Sequence, residues 1–505
     1  MVNQTLTAAL YGPHIDCRKA GATIISDNVD KQKLAVRLNS LHAGAVNFSP
    51  TYTPANDAAR YLVHHTLSSL GLSNKNGVKY TLVVASILQI IKSFDVDKTQ
   101  TIAVPKNDAY YSNYSAGLSI VNTVIDYMVS HDYLSKVPDT GSFVIYDGDD
   151  GKKHKAGVVS LYQPNHDLIA LELLSTATFT DSHRPTVIIA QSETEGQYYA
   201  RKRRGEKSPK MTRRAAATKF KRKLGLAEAG VKQLVNNWQE HPLLLPTTEY
   251  RKAFYAASAT RVYYRGRMDA GGRYQGSWTN LGSNTRLQAT IDGEAVSEVD
   301  LNASQPTLFS ALMGEEMEVP NTYEDFYSEM LTGFTTVNET DTFDKHRQKM
   351  KSVAVELIGT GNPLKDYPAE NNSHSWKYTK SGMSEYHQYR NKLLMHVPAL
   401  QRLEKNRGHL NGAGFISFHE SEVMQSTLLA LLHMGVTAYP IHDCLLVKQS
   451  NVDVAVTVYR ETYRSYVLDY NNSEGLSPID FTTPVSIETY GKKKVRVAGG
   501  YNFKG

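Results

Sequence analysis

The sequence predicts a fold of the α+β class, and two kinds of pattern lead to this prediction. Apolar residues recur at helical spacing in Ala58–Leu72 and in Tyr80–Phe94. Strand-type runs occur at Ala295–Val299 and at Val436–Ile441, and each leads into a turn that carries an aspartate. The chain has 505 residues, which is too long for one ordinary core, so we expect two or three domains.

The N-terminal part of the chain predicts a winged-helix-like module. A third helix, Ser119–Leu134, is followed by two strand-type runs, Ser142–Tyr146 and Gly157–Tyr162, with a charged, turn-rich segment between them. Helices followed by a hairpin with a charged tip are the order of a winged helix-turn-helix, a DNA-binding module, although unrelated small domains share this order. We therefore assign residues 1–195 to an N-terminal domain that contains this module.

Composition excludes several classes of protein. Cys17 and Cys444 are the only cysteines, so neither a disulfide framework nor a cysteine-rich zinc site is expected. The first residues lack a charged start followed by a long apolar run, so we expect no secretory signal. No uninterrupted apolar stretch approaches the roughly 20 residues that cross a membrane. We expect a cytoplasmic protein without a membrane partner.

The net charge of +6 is unevenly distributed along the chain. Residues 201–223 contain twelve Lys and Arg residues and one acid, so the rest of the chain is mildly acidic. Such a run favours a polyanionic partner, most simply the phosphate backbone of a nucleic acid, over a solvated linker that binds nothing. We predict a basic linker at 196–225 whose first cations bind nucleic acid, namely Arg201, Lys202, Arg203 and Arg204.

Asp300 is the first candidate for a chemical role. The predicted strand Ala295–Val299 ends at this residue, and a helix is predicted from Pro306 onward. A carboxylate at the end of a strand is well placed to hold a divalent cation through oxygen ligands. The alternative is that Asp300 only caps the helix that follows.

Arg347 and Lys351 are the second candidates. They are four residues apart on a predicted helix, so both project from one face, and Gly359, Gly361 and Pro363 end that helix. Two cations on one face next to a core can bind the phosphates of an incoming nucleotide and neutralise developing charge. The alternative is a solvated basic face.

His442 and Asp443 are the third candidates. They lie between the strand-type runs Val436–Ile441 and Cys444–Val447, at the predicted tip of a hairpin. Two strand-end aspartates with a basic helix between them are what nucleotidyl transfer requires. Two Mg²⁺ (or Mn²⁺) ions held by two carboxylates activate a 3′ hydroxyl and stabilise the leaving pyrophosphate, while Lys and Arg hold the triphosphate.

These motifs resemble the right-hand palm of family A DNA polymerases and single-subunit phage RNA polymerases, over residues 262–490. Asp300 matches the metal-binding aspartate of motif A, Arg347 and Lys351 fit the Arg-x-x-x-Lys frame of motif B, and Ile441-His442-Asp443 matches motif C. The segments GGRYQGSW, VDLNASQP and PIHDCLLV also resemble polymerase-like proteins of phages and bacterial mobile elements. The resemblance implies that Asp300 and Asp443 bind metal and that the motif B cations bind triphosphate.

The segment YYRGRMDAGGRYQGSW resembles the Gly-Arg segment of the family, which contacts the primer–template. Either Arg267 or Arg273 could be the arginine in question. We favour Arg273, because Gly-Arg-Tyr followed by small and aromatic residues fits the turn better. The resemblance then implies that Arg273 and His442 support the primer end.

Departures from the family pattern concern the sugar of the nucleotide. Gln305, Val355 and Gly359 are predicted to contact the nucleotide, but the DNA polymerases carry Glu at the first of these positions and Tyr at the last. Loss of the tyrosine ring, together with Cys444 after the motif C aspartate, favours ribonucleotides. The RNA polymerases keep that tyrosine, so the sugar preference stays open.

We therefore expect a right-hand polymerase palm with helical fingers, preceded by the winged-helix-like domain. The polymerase domain would span 226–505, with thumb-like helices at 226–262, palm at 263–311 and 411–505, and fingers at 312–410. The expected function is a DNA-templated nucleotide polymerase, a ribonucleotide-tolerant primase or small RNA polymerase of a phage or mobile element.

Its expected partners are a DNA template, NTPs or dNTPs, and accessory proteins of replication or transcription, in the cytoplasm of a bacterial host cell. Three alternatives stay open. The first is a primer-extending DNA polymerase without proofreading. The second is a DNA-binding regulator of replication or transcription with an inactive palm. The third is an HD-type phosphohydrolase, which needs several His and Asp residues on helices around its metal.

Overall fold

The computed structural model describes residues 45–72, 77–94, 100–106, 108–138, 140–141, 143–147, 153–157, 159–165, 169–193, 197, 200–201, 209–248, 253–316, 326–331, 342–364, 380–406, 412–498 and 500–501. Three of the predicted nucleic-acid contacts, Lys202, Arg203 and Arg204, lie outside these residues and stay predictions. The chain divides into two compact units. The first comprises Met1–Pro185, Glu193–Arg213 and Pro246–Ser258, and the second comprises Thr186–Ser192, Arg214–Leu245 and Ala259–Gly505.

The first unit mixes helices and short strands, which we number in chain order through the whole protein. Its helices are α1 Asp57–Ser69, α2 Gly77–Lys92, α3 Asp108–Tyr111, α4 Leu118–Ser130 and α5 Leu171–Thr176. Its strands are β1 Ala45–Asn47, β2 Tyr52–Pro54, β3 Thr101–Pro105, β4 Leu134–Lys136, β5 Phe143–Asp147, β6 Lys153–Gly157, β7 Val159–Pro164, β8 Phe179–Asp181 and β11 Phe254–Ala256.

The three helices predicted in the N-terminal part are confirmed as α1, α2 and α4. Helix α1 begins where the Asn56 side chain accepts a hydrogen bond from the Ala59 backbone, the usual way to satisfy a free amide at a helix start. Helix α2 is buried on nearly all sides because its apolar residues do not keep to one stripe. Strands β1, β3, β7 and β4 form one sheet in that order.

The predicted hairpin is paired differently from the expectation. Strand β5 pairs with β6, with Phe143 opposite Gly157, whereas β7 pairs with β3 on one side and β4 on the other. The sequence of β6, Lys153–Gly157, is too polar to indicate a strand, so local patterns favour the next apolar run as the partner of β5. The partners of β7 are distant in sequence, and local periodicity does not reveal them.

The second unit contains the C-terminal half of the chain. Its helices are α6 Arg213–Glu240, α7 Ser283–Arg286, α8 Ser304–Leu312, α9 Phe326–Glu329, α10 Phe343–Thr360, α11 Lys380–His396, α12 Gly412–His433 and α13 Val452–Ser473, with 3₁₀ turns at Pro398–Asn406 and Gln449–Asn451. Its strands are β9 Val187–Ile189, β10 Leu243–Leu245, β12 Ala259–Tyr263, β13 Gly271–Gly276, β14 Thr290–Ile291, β15 Glu294–Leu301, β16 Ala438–Ile441, β17 Cys444–Lys448, β18 Phe481–Thr482, β19 Val485–Thr489, β20 Val495–Val497 and β21 Gly500–Tyr501. In the described parts of both units, no helix has the length and hydropathy needed to cross a bilayer.

Strand β15 lies at the centre of the main antiparallel sheet of this unit, in the order β16–β17–β15–β19–β20. It enters the sheet through a two-residue turn, Asp292-Gly293, in which both residues have positive φ. That conformation matches the twist of a hairpin and suits an Asp-Gly pair. Strands β9, β12 and β13 form a second sheet in that order, and its strand β13 packs against helix α12.

The expectation of thumb-like helices at 226–262 needs correction in its last part. Phe254–Ala256 is strand β11, which pairs in parallel with β8. This pairing is long-range, so it overrides the local helical spacing. Helix α6 begins at Arg213, so residues 213–225 of the predicted basic linker are helical.

An aromatic cluster fixes strand β16 in the second unit. Trp238 and Trp278 are fully buried, and their indole nitrogens donate to the carbonyls of Ala438 and Pro440, each at 2.8 Å. Both rings pack on Tyr439, at centroid distances of 5.2 and 5.0 Å. The cluster therefore holds the strand that leads into the His442-Asp443 turn.

We predict that Trp278→Ala lowers the free energy of unfolding by about 3–5 kcal/mol, because it leaves a cavity in this cluster. Trp278→Phe keeps part of the packing but leaves the Pro440 carbonyl unpaired, and it should cost about 1–3 kcal/mol. Urea unfolding monitored by circular dichroism measures both effects. Met434→Ala, at a residue that is 60% exposed, is the control. Equal midpoints for Trp278→Ala and this control would contradict the role of the cluster.

Candidate active site

An open cleft of about 540 Å³ lies in the second unit. Its walls are formed by the end of β15, the β16–β17 turn, the start of α8, β13, α10 and the β19–β20 hairpin. Its charged and polar lining residues are Arg273, Asp300, Asn302, Ser304, Gln305, Arg347, Lys351, His442, Asp443, Lys494 and Arg496. The structure thus brings together residues from five separate segments of the sequence, including both predicted aspartates.

Asp300 and Asp443 lie at the same end of two neighbouring strands. Strands β15 and β17 pair with Asp300 opposite Cys444, so Asp443 immediately precedes the residue that faces Asp300. The Leu301 amide donates to the Asp443 carbonyl at 3.3 Å. The same carbonyl accepts a hydrogen bond from the Tyr459 hydroxyl at 3.0 Å, which fixes the turn. The predicted hairpin around His442-Asp443 is confirmed.

Two non-glycine residues at this end of the sheet adopt left-handed backbone conformations. His442 has φ of +56° in the β16–β17 turn, and Ala303 has φ of +48° between β15 and α8. Such conformations cost energy for residues with a Cβ and persist only where the surroundings enforce them. Partial burial and the neighbouring Arg273 guanidinium lower the pKa of His442, so its imidazole is neutral at pH 7.

Burial and neighbouring carboxylates disfavour the charged forms of Asp300 and Asp443 when no ligand is bound. Burial raises the pKa of Asp300 to about 6, although the Lys494 and Lys351 ammonium groups oppose the shift. Burial, the Glu420 carboxylate and the Asp300 carboxylate raise the pKa of Asp443 well above its usual range. The two carboxylates therefore repel each other, and a bound cation would relieve that repulsion.

The donor set at this end of the sheet fits a hard divalent cation. Asp300 and Asp443 offer only carboxylate oxygens, the ligands that Mg²⁺ and Mn²⁺ prefer. Within the described ranges, no group of three or more His, Cys, Asp or Glu residues converges on a site that could hold a metal by itself. Mg²⁺ is commonly bound through one or two carboxylates together with substrate phosphates, so these two residues fit a metal that binds with a nucleotide.

Helix α10 carries the predicted cationic face. Arg347, Lys351 and Val355 are spaced one turn apart, and all three line the cleft, as expected for the i, i+4 spacing. The opposite face is fixed to α11 by a buried ion pair between Lys349 and Glu385. The helix is therefore attached through one face and presents its two cations to the cleft through the other.

A network of side chains holds Arg273 beside the turn. Its guanidinium donates to Glu420 of helix α12, and Glu420 also accepts a hydrogen bond from the Ser304 hydroxyl at 2.6 Å. The Gln305 amide lies 3.5 Å from the same carboxylate. Buried Arg261 donates to the Gly272 carbonyl of β13 and to side chains of α12, so it clamps this helix onto the strand that carries Arg273.

Among the residues that the structure describes, three predicted site residues do not line the cleft. Arg267 forms a bidentate ion pair with Asp269, with both contacts at 2.7 Å, so Arg273 is the arginine of the two that reaches the site. Gly359 lies outside the cleft lining, and a Cβ built there would meet nothing within 4 Å. In the first unit, Arg201 forms an ion pair with Glu193 at 2.7 Å.

Three residues of the site were missed from the sequence. Glu420 lies among other polar residues of α12, next to His419 and Ser421, so only its burial in the structure marks it for a polar role. Lys494 and Arg496 alternate with Val495 and Val497, and this period of two indicates that both cations lie on one face of a strand. Their proximity to Asp300 depends on long-range pairing and could not be predicted.

No protein-family model matches the sequence, and no curated protein matches it. Among solved structures, the chain is similar to the POL domain of Pol1 from M. smegmatis in complex with DNA primer-template and dNTP, at 13% sequence identity and a TM-score of 0.31. The similarity covers 52% of this chain and 51% of that chain, so this chain spans about half of that structure. The resemblance to family A DNA polymerases and phage RNA polymerases stays a prediction.

We predict that Asp300→Asn stabilises the metal-free protein above pH 6. The pKa of Asp300 is about 6 in the folded state, whereas an unperturbed aspartate, as in the unfolded chain, has a pKa of 3.8. The folded state therefore binds more protons than the unfolded state between these two values. Stability is then lost as pH rises through this window. The side chain is 35% exposed, and solvent screening reduces the expected gain to roughly 1 kcal/mol.

Thermal unfolding in EDTA from pH 3 to pH 8 measures this difference. The variant and the wild type should have similar stability near pH 3, where the carboxyl is protonated in the folded state and largely protonated in the unfolded state. The variant should unfold at a higher temperature from pH 6 upward. A variant that is less stable than the wild type across the whole range would contradict the electrostatic account of the site.

Proposed function

We propose that the chain catalyses template-directed nucleotidyl transfer, adding nucleotides to the 3′ end of a growing strand. The observation that carries this proposal is the position of Asp300 and Asp443 at the same end of two paired strands, in a cleft that Arg347 and Lys351 also line. Paired carboxylates and nearby cations are what phosphoryl transfer from a nucleoside triphosphate requires.

In the proposed reaction, the 3′ hydroxyl attacks the α-phosphorus of the nucleotide, and the bond to the pyrophosphate oxygen breaks while the hydroxyl proton passes to solvent. Asp300 and Asp443 would hold Mg²⁺ or Mn²⁺, which, when bound, lowers the pKa of the hydroxyl and neutralises charge on the phosphates. Arg347 and Lys351 bind the triphosphate and neutralise the charge that develops during transfer.

The other residues of the cleft hold the reactants in position. Arg273 supports the end of the primer strand, and its contact with Glu420 fixes the direction of its guanidinium. His442, in its neutral form, can donate one hydrogen bond to the same strand. Gln305 and Val355 would contact the sugar and base of the nucleotide, since both line the cleft beside Asp300.

The narrower proposal is a DNA-templated, ribonucleotide-tolerant primase or small RNA polymerase of a phage or mobile element, with replication or transcription proteins as further partners. Palm and fingers would be formed by the β15 sheet and by helices α9 to α11. A winged-helix role for the first unit is supported by the three helices α1, α2 and α4 and by the β5–β6 hairpin that follows them.

A primer-extending DNA polymerase is the second candidate. The observation that favours it is the position of Gly359 outside the cleft lining, because the missing tyrosine ring then does not by itself open a sugar pocket. An HD-type phosphohydrolase is disfavoured, since His442 and Asp443 lie in a β-turn rather than on metal-binding helices. A regulator with an inactive palm is disfavoured by the intact set of acids and cations.

We expect Asp443→Asn to reduce nucleotide addition by roughly a thousandfold or more, because one metal ligand is lost. Extension of a radiolabelled primer on a DNA template with Mg²⁺ or Mn²⁺ measures the rate. Asp453→Asn is the matched control, since Asp453 is an exposed aspartate at the start of α13. If both variants retain wild-type rates, or if the wild type binds duplex DNA but adds no nucleotide, the proposed function is wrong.

The same assay with rNTPs or dNTPs, with and without a primer, distinguishes the two candidates. A primase or small RNA polymerase should incorporate rNTPs on single-stranded DNA without a primer. A primer-extending DNA polymerase should require the primer and prefer dNTPs. Strict use of dNTPs would eliminate the primase proposal and leave nucleotidyl transfer in place.

A further inference from the structure

Lys494 and Arg496 form a second cationic wall of the cleft, on the strand hairpin β19–β20. The reaction described above uses neither residue. Lys494 lies just before β20, and Arg496 lies within it, opposite Ser486 of β19. Ser486 in turn lies opposite Asp300 of β15. Because directly opposed residues share one face of a sheet, Arg496, Ser486 and Asp300 form a row across three strands.

Lys494 already has acidic neighbours in the protein alone. Its ammonium group lies 3.8 Å from the nearer Asp300 oxygen and 3.5 Å from a Glu488 oxygen. A divalent cation on Asp300 would place a like charge beside this ammonium group. Lys494 would then keep Glu488 as its acidic neighbour, and because it is 39% exposed and lines the cleft, it can reach a second anion there.

The position of this wall indicates which anion it meets. The β16–β17 turn with Asp443 borders β15 on one side, together with Arg273 and the proposed primer end, while β19 and β20 border β15 on the other. A phosphate of the primer strand would therefore lie on the far side of Asp300 from Lys494. The remaining polyanion of the reaction is the triphosphate tail and the pyrophosphate derived from it.

We propose that Lys494 and Arg496 bind the β- and γ-phosphates of the nucleotide and the pyrophosphate that leaves. This inference rests on the proposed function. The phosphate site would then have two sides, one formed by Arg347 and Lys351 of helix α10 and the other by Lys494 and Arg496 of the β19–β20 hairpin. Lys494 exchanges its contact with Asp300 for one with phosphate when the metal-bound nucleotide enters. Charge-assisted bonds to phosphate are strong enough to make this exchange favourable.

Binding of inorganic pyrophosphate in the presence of Mg²⁺, measured by isothermal titration calorimetry on the full chain, tests the inference without requiring catalysis. Lys494→Ala should weaken pyrophosphate binding about tenfold, the effect of one charge-assisted contact. Lys494→Arg should restore most of the affinity. Lys492→Ala is the control, because Lys492 is an exposed lysine of the same hairpin outside the cleft lining. Circular dichroism melting shows that each variant is folded.

Primer extension with the same variants separates this inference from the proposed function. Lys494→Ala should raise the KM for the nucleotide about tenfold and leave the affinity for primer–template DNA within about twofold. If the wild type is active but Lys494→Ala has the same pyrophosphate affinity and KM as Lys492→Ala, the inference is wrong and the proposed function stands. A wild type that adds no nucleotide but binds pyrophosphate through Lys494 retains the phosphate site and overturns only the polymerase function. Absence of pyrophosphate binding to the wild type overturns the inference as well.

Discussion

The register between β15 and β17 is the constraint on which the candidate site depends. With Asp300 opposite Cys444, the two aspartates reach the same end of the sheet, and a slip of one residue would turn one of them to the other face. The aromatic cluster beneath β16 and the Tyr459 hydrogen bond to the turn both hold this register. Residues far from the cleft thus determine whether the acids meet.

This arrangement gathers acids and cations at some cost to the fold. Both aspartates have raised pKa values because burial and neighbouring carboxylates disfavour their charged forms. Cations on three elements surround them, with Arg273 on β13, Lys351 on α10 and Lys494 beside β20. A metal-bound nucleotide would bring positive charge to the acids and negative charge to the cations. The charged groups of the free protein are therefore already placed to bind a ligand that carries both a cation and anionic groups.

Local sequence patterns predicted the parts of the site that depend on local structure. The end of a strand at Asp300, the hairpin at His442-Asp443 and the cationic face of α10 all follow from periodicity and turn residues. Glu420 and Lys494 were missed because their roles arise from contacts with residues more than 100 positions away. Strand β6 was missed because its composition is too polar to indicate a strand, and β11 was missed because its partner β8 lies about 75 positions away. Alignment to a family motif suggested Gly359, which the structure leaves outside the cleft lining.

Anomalous diffraction from crystals grown with Mn²⁺ and a non-hydrolysable nucleotide tests the central claim most directly. The account predicts manganese peaks within about 2.0–2.4 Å of carboxylate oxygens of both Asp300 and Asp443, with the nucleotide phosphates completing the coordination. Manganese bound elsewhere, or a nucleotide bound away from these two residues, would contradict it.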